Sequence, residues 1–293
     1  MKGLLIVNSF LNINKFSDLY ELFKNASLKY KVELLIKTTD EFCLCLDNKL
    51  SEYKDIDFIL FWDKDIYLAQ RLEFLGFRVF NSAKAIELCD NKALTALELN
   101  KASVRIPKTI IAPKTFEGVF YNNLNFLNSS EKELGYPMII KEVYGSFGKQ
   151  VYLAKSREEA LRIINNIGYK DFIMQEFIET SFGRDVRINV VGGKVVSAMG
   201  RINENDYRSN ITNGGMITKV KITEGEANLA IKACNALGLD FAGVDVLYGE
   251  NNEPIICEVN SNPHFRSSLE CTGIDLSEKI IKYILEVLKW KDF

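Results

Sequence analysis

The chain has 293 residues, more than a single hydrophobic core usually holds, so two or three packed units are expected. Its 47% hydrophobic and 26% charged residues are ordinary for a soluble globular protein, and a formal net charge of −2 gives no broad basic field, which argues against nucleic acid or an anionic membrane as the main partner. Six cysteines without a CxxC pair suggest neither a zinc site nor a disulfide framework, and a single histidine, His264, leaves little material for a Ser/His/Asp triad.

The opening MKGLLIVNSFL is too short to span a membrane and runs into polar NINK, not a small-residue cleavage site, so it reads as a first β-strand and the protein as cytoplasmic. Strand and helix then alternate: a helix from about Lys15 to Tyr30, the strands KVELLIKT and DFILFW, a helix through LAQRLEFLG, and RVFNS. That order predicts a small, open, mostly parallel α/β sheet over residues 1–95. Its first turn lacks GxGxxG, so a dinucleotide site is not supported, and the carboxyl ends of its strands are instead the place for a substrate pocket. One helix is expected from about Ala83 to Lys101.

The second unit, residues 96–183, contains PMIIK, the glycine turn KEVYGSFGKQ (Lys141 to Gln150), VYLA, the helix SREEALRIINNIG and the strand DFIMQEFI. Because the turn joins two strands, it predicts a mobile lid on a sheet. Gly145 and Gly148, on either side of Ser146, would let backbone N–H groups approach phosphate oxygens, and Lys141 and Lys149 add positive charge. The spacing is not that of a Walker A loop, and many glycine hairpins bind nothing.

The third unit, residues 184–293, opens with the strands RDVRINVVGG, KVVSAMGRI and MITKVKIT. Arg187 and Arg201 fall on strands and Arg208 in the loop DYRSNITNGG. Guanidinium forks bind phosphate bidentately, but each of these arginines is equally suited to pair with an acid such as Asp185 or Glu204. After the helix EGEANLAIKACNALGL, the stretch FAGVDVLY-GENNEP-IICEVN reads as a β-hairpin. With its loop centred on Asn251 and Asn252, Asp245 lies opposite Glu258, Asn260 shares their face, and Val244, Val246, Cys257 and Val259 form the apolar face. Like charges directly opposite each other destabilise a sheet, so a cation between the two carboxylates is expected, and an all-oxygen donor set favours Mg²⁺ or Mn²⁺. The alternative is a solvated hairpin face.

Taken in order, a lysine before a glycine lid, QEFI, the acid Asp185, an RSN triplet, a strand Asp and EVN resemble the ATP-grasp superfamily, and within it the RimK-like carboxylate–amine ligases. The resemblance runs from about Asn81 to the C-terminus. It implies an α/β chain, α+β in the ATP-grasp part, with an N-terminal open parallel domain followed by a two-lobed ATP-grasp fold holding ATP between its lobes. The residues it implies for ATP are Lys141 and, upstream, Lys92 at the phosphates; Gly145, Ser146 and Gly148 in the lid; Gln175, Glu176, Phe177 and Ile178 at the hinge that reads adenine; Asp185 on the ribose; and Arg208, Ser209 and Asn210 toward the phosphates. Asp245, Glu258 and Asn260 match the ligands of two Mg²⁺ or Mn²⁺ ions. Lys141, Arg201 and Arg208 would balance charge on the transferred phosphoryl group, and Arg187, Asn262 and Arg266 are the candidates for the substrate side.

The activity implied is ATP- and Mg²⁺-dependent formation of an amide through an acyl phosphate, adding an amino acid such as glutamate to a small molecule, peptide or protein tail. Neither nucleic acid nor membrane is an implied partner, and self-association is left open. Two departures stand out. Gln150 replaces a glycine that relatives often have, which would stiffen the lid, and SNPHFRSSLECTG after EVN differs from the usual run, which puts substrate identity in doubt. A D-amino-acid or dipeptide ligase, another ATP-grasp amide synthetase and a non-catalytic ATP-binding module are the competing readings.

Overall fold

The computed structural model of the chain describes residues 1–11, 14–146, 148–209 and 214–289. Strands β1 (Lys2–Val7), β2 (Glu33–Thr38), β3 (Phe58–Trp62) and β4 (Val79–Phe80) form a parallel sheet in the order β2-β1-β3-β4. The runs LLIV and FILFW are buried throughout, as befits central strands covered on both faces. Helix α1 (Asn14–Lys29) covers one face through Leu19 and Phe23. On the other face, helix α2 (Ile66–Phe74) packs Leu68 and Leu72, its first turn capped by Asp65.

The single helix expected over residues 83–101 is two helices, α3 (Ala83–Asp90) and α4 (Lys92–Lys101). Asn91 breaks the run, because its side-chain oxygen accepts the backbone N–H groups of Ala93 and Leu94 and so begins a new helix. Lys92 therefore stands in the first turn of α4. Both helices pack, through Ala85, Cys89 and Leu99, on the C-terminal sheet.

Strands β5 (Thr109–Ile111), β6 (Met138–Glu142), β7 (Val151–Ala154) and β8 (Phe172–Glu176) form an antiparallel sheet in the order β5-β8-β6-β7. Met138, Ile140 and Met174 pack against helices α5 (Asn125–Leu134) and α6 (Arg157–Ile167). Strand alternation turns Ile139, Lys141 and Gln175 to the opposite face.

The third sheet, also antiparallel, runs β11-β10-β9-β12-β13. Its strands are β9 (Arg184–Val191), β10 (Lys194–Ile202), β11 (Met216–Lys219), β12 (Phe241–Tyr248) and β13 (Pro254–Asn260). Val186, Ile188, Val244 and Val246 face helix α7 (Glu224–Leu237), and Asp185, Arg187 and Asp245 alternate to the other side. Helices α8 (Arg266–Thr272) and α9 (Leu276–Lys289) follow, and α9 buries Leu276, Ile280, Ile281 and Ile284 in the core formed by β1, β3 and α1. Buried Asn81 joins the first sheet to the third, donating to the carbonyls of Phe241 (3.0 Å) and Ser261 (2.9 Å) and accepting from the N–H of Asp240 (2.7 Å).

Candidate functional site

The β12–β13 hairpin has the expected register at its centre, with Asp245 opposite Glu258. A bulge follows, so that Val246 pairs with Ile256 and Cys257 is left over. Ile256 therefore enters the core in place of Cys257, which lines the pocket beside Lys141, its Sγ 3.9 Å from the lysine Nζ. The expectation that Cys257 belongs to the apolar face is corrected by this one extra residue.

Asp245 is buried beneath two arginines. Arg187 grips it with both Nε and Nη2, the latter 2.8 Å from Oδ2, and Nη2 of Arg201 lies 2.9 Å from Oδ1. Arg201 also holds Asp185 through Nε (2.6 Å) and Nη2 (2.5 Å), and the Ser209 hydroxyl donates to the same carboxylate at 2.5 Å. Burial opposes the charge on Asp245, but the two guanidinium groups outweigh it and hold the carboxyl below the usual range. Gly243 makes room for this packing, since a Cβ there would lie 3.1 Å from Cδ of Arg187 and 2.7 Å from Pro263. Much of the charge of Asp245 is thus offset by Arg187 and Arg201.

Glu258 has no ion pair among the described residues, although it stands across the ladder from Asp245. Nδ2 of Asn260 is buried without a hydrogen-bond partner. An acid without a basic partner and an amide with an unsatisfied end, beside Asp245, fit a cation held by oxygen donors, because turning the amide presents its oxygen. Among the described residues, no group of three or more His, Cys, Asp or Glu side chains gathers to hold a metal, so such a site needs the amide.

A pocket of about 110 Å³ lies between the second and third sheets. Lys92, Lys141, Gly145, Ser146, Gly148, Gln175, Glu176, Phe177, Ile178, Asp185, Arg208 and Ser209 all line it, with Asp245 and Glu258 at one end. Asn210 lies outside the described residues. Oε1 of Gln175 is buried and unpartnered there, while its Nε2 donates to Thr109 Oγ1 at 2.8 Å. Such an acceptor suits a ligand N–H. The Asp185 carboxylate already takes hydrogen bonds from Arg201 and Ser209, which engages the oxygens that the ribose reading requires.

Cations hold the lid. Lys92 Nζ donates to the Gly145 carbonyl (3.0 Å), Arg208 Nη1 to the Gly148 carbonyl (3.1 Å), and Lys64 Nζ to Ser146 Oγ (3.4 Å). Gln150 fills the turn itself. Its Oε1 accepts from the Ser146 N–H at 3.3 Å, and a Cβ on Gly145 would come within 2.5 Å of that oxygen. Burial lowers the Lys92 ammonium below its ordinary value; Glu258 works against this, and Lys64 and Lys141 add to it.

A second, larger cleft of about 280 Å³ lies where the first sheet meets the third. Arg187, Arg201, Asn260 and Asn262 line it, as do Tyr20, Trp62, Asp63 and Lys64 from the first unit. Glu258 and Ser146 line both cavities, so the two meet at these residues. Arg266 is not brought to either cavity. It sits on the exposed side of α8, paired with Glu270 one turn on (3.0 Å), because the helix begins at Phe265 and turns position 266 outward. The structure thus brings Arg187 and Asn262 to the cleft and leaves Arg266 away from it. The sequence reading named the carboxyl ends of the first sheet's strands but missed Asp63 and Lys64 in WDKD, which directly follow β3 and were the signal there.

Residues 89–284 match the model of the RimK-like ATP-grasp domain. The chain is 33% identical over 268 residues to an uncharacterized protein of Mycoplasma pneumoniae, covering 89% of this chain and 91% of that one. It is 32% identical over 228 residues to the N-acetylaspartylglutamate synthase A of Homo sapiens, covering 77% of this chain but only 57% of the human protein. Its fold is that of the RimK domain ATP-grasp protein of Sphaerobacter thermophilus, with a TM-score of 0.74 at 18% identity over 97% of this chain and 99% of the other.

Proposed function

The chain belongs to the RimK-like ATP-grasp family, and on that footing we propose that it joins a carboxylate to the amine of an amino acid, with cleavage of ATP to ADP and phosphate. The observation that carries this reading is the meeting of the two cavities at Glu258 and Ser146. A nucleotide in the first cavity would have its terminal phosphate at the mouth of the second, which is the arrangement that phosphorylation of a bound carboxylate needs.

A carboxylate does not react with an amine near neutral pH, because its oxygen leaves poorly; phosphorylation turns that oxygen into a leaving group. Lys92, Lys141 and Arg208 balance the charge that develops on the transferred phosphoryl group. For Lys92 and Arg208 this means exchanging the carbonyls of Gly145 and Gly148 for phosphate oxygens, so nucleotide binding and lid rearrangement are one event. Closure of the glycine lid then keeps water from the acyl phosphate. Backbone groups of Glu176 and Phe177, with the unpartnered Gln175 oxygen, receive the adenine edge. Asp185 we assign to holding Arg201 and Ser209, not to the ribose.

Asp245, Glu258 and Asn260 would hold Mg²⁺ or Mn²⁺, as one ion or two, whose chemistry is to neutralise oxygens of the β- and γ-phosphates. Arg187 and Arg201 keep Asp245 ionised for that purpose. Among the described residues no helix is long and apolar enough to cross a membrane, and we place the reaction in the cytoplasm, with glutamate the first amine to try.

The test is Mg²⁺-dependent phosphate release from ATP by the purified protein, offered pools of carboxylates with pools of amino acids, using Glu258→Gln as the blank. Release that requires one carboxylate and one amine, with their amide found by mass spectrometry, is the expected outcome. ATP binding with no release above the blank from any pool would rule the ligase reading out.

A further inference from the structure

The cleft between the first and third sheets carries an imbalance of charge. Among its described basic side chains, Lys64 pairs with Asp90, Arg187 with Asp245, and Arg201 with Asp185 and Asp245. Two of its acids, Asp63 and Glu258, have no ion pair among the described residues. Glu258 belongs to the cation site already assigned, which leaves Asp63. Its side chain is not an exposed surface acid, since the residue is only 7% exposed.

Burial raises the Asp63 carboxyl above its ordinary value, and the Asn8 side chain and two backbone N–H groups hold it in place. It lies at the carboxyl end of β3, and its Oδ1 accepts the N–H groups of Lys64 (2.5 Å) and Asp65 (2.9 Å). Phe16, Tyr20 and Trp62 supply aromatic wall around the same cleft. Tyr20 and Asp63 line the same cleft, and the Tyr20 hydroxyl is raised above its ordinary value first by burial and then by the charge of Asp63. A nearly buried carboxylate without a cation, beside aromatic rings, suits an organic ammonium, which gains both from the charge and from the ring faces.

We propose that Asp63 is the anchor for the substrate ammonium: the amine enters this cleft as a cation with its organic portion against Phe16, Tyr20 and Trp62 and passes one proton to the Asp63 carboxylate, so that its freed lone pair forms the C–N bond as the C–O bond breaks and phosphate leaves. The inference rests on the ligase reading above and adds to it the group that selects the amine. It also divides the cleft. The N-terminal unit binds the nucleophile, and the third sheet carries the carboxylate and the phosphoryl group. A positively charged amine is favoured over an uncharged nucleophile of similar size, and that preference resides in one residue.

The experiment lets two nucleophiles compete for the same activated carboxylate. With ATP, Mg²⁺ and a carboxylate pool, hydroxylamine, a small uncharged nucleophile, traps the acyl phosphate as a hydroxamate, and an amino-acid pool traps it as an amide. Asp63→Asn keeps the Oδ1 acceptor of the turn and removes the charge, so the ratio of amide to hydroxamate is expected to fall roughly 10- to 100-fold, as loss of a charged hydrogen bond does. Asp63→Ser, which keeps a hydroxyl acceptor, should lower the ratio in the same sense, and thermal unfolding of both variants checks that they are folded. An unchanged ratio in a folded variant overturns the assignment of Asp63. Absence of hydroxamate and amide alike from the wild-type protein removes the ligase reading itself, and the ammonium site with it.

Discussion

Asp245 and Glu258 face each other across the β12–β13 ladder, yet two arginines hold the first and none of the described residues forms an ion pair with the second. Two neighbouring carboxylates in one sheet thus have different work. Asp245→Asn leaves two buried guanidinium groups short of their partner and is expected to destabilise the fold by about 3–5 kcal/mol. Glu258→Gln should change stability by no more than about 1 kcal/mol while lowering turnover roughly 10²-fold or more. Urea denaturation beside phosphate release separates the two, and equal stability losses in both variants would remove the distinction.

The same pair predicts a pH dependence. The folded-state pKa of Asp245 lies below that of the unfolded chain, about 3.9 for a free Asp, so its contribution is fully present above about pH 4 and is lost as pH falls through the folded value. The stability difference between wild type and Asp245→Asn should therefore be constant from pH 7 to about pH 5 and shrink below pH 4. A difference that does not change down to pH 3 would show that the carboxylate is not held in its charged form.

Gln150 occupies the space that Gly145 leaves and accepts the Ser146 N–H. Gln150→Gly removes that filling and adds backbone freedom, at roughly 0.5–1 kcal/mol. Residues 144–150 should then exchange their amide hydrogens faster, with a weaker apparent affinity for ATP. Hydrogen exchange with and without ATP reads this directly, and a lid equally protected in both proteins would assign its order to Lys92 and Arg208 alone.

Arg266→Ala should leave the Michaelis constants for ATP, carboxylate and amine within about twofold of wild type, because a surface i,i+4 pair with Glu270 is worth only about 0.3–0.5 kcal/mol. A selective rise in one of those constants would return Arg266 to the substrate side.

Strand alternation made the face of β12 readable from sequence, and with it Asp245 as a pocket residue, whereas Lys141 and Gln175 were named by the family resemblance. Alternation failed at Cys257, where a one-residue bulge reverses which neighbour points inward, and no residue type announces that insertion. The arginines were recognised as partners for either phosphate or an acid; only the distances decide that Arg187 and Arg201 hold Asp245 and Asp185. Asp63 escaped notice because nothing within WDKD says which acid will find a lysine. Asp90, the partner of Lys64, lies 26 residues further along the chain, and that pairing leaves Asp63 without a cation.

Helix α9 completes the core that β1, β3 and α1 begin, with Ile280, Ile281 and Ile284 packed among Leu5, Phe23 and Trp62. During synthesis at about 5–20 residues per second, the part of this core that α1 leaves open would wait roughly 15–55 s for α9. The nascent N-terminal unit must carry that partly covered apolar face through the interval, so its solubility in the cell depends on whatever shields it until α9 arrives.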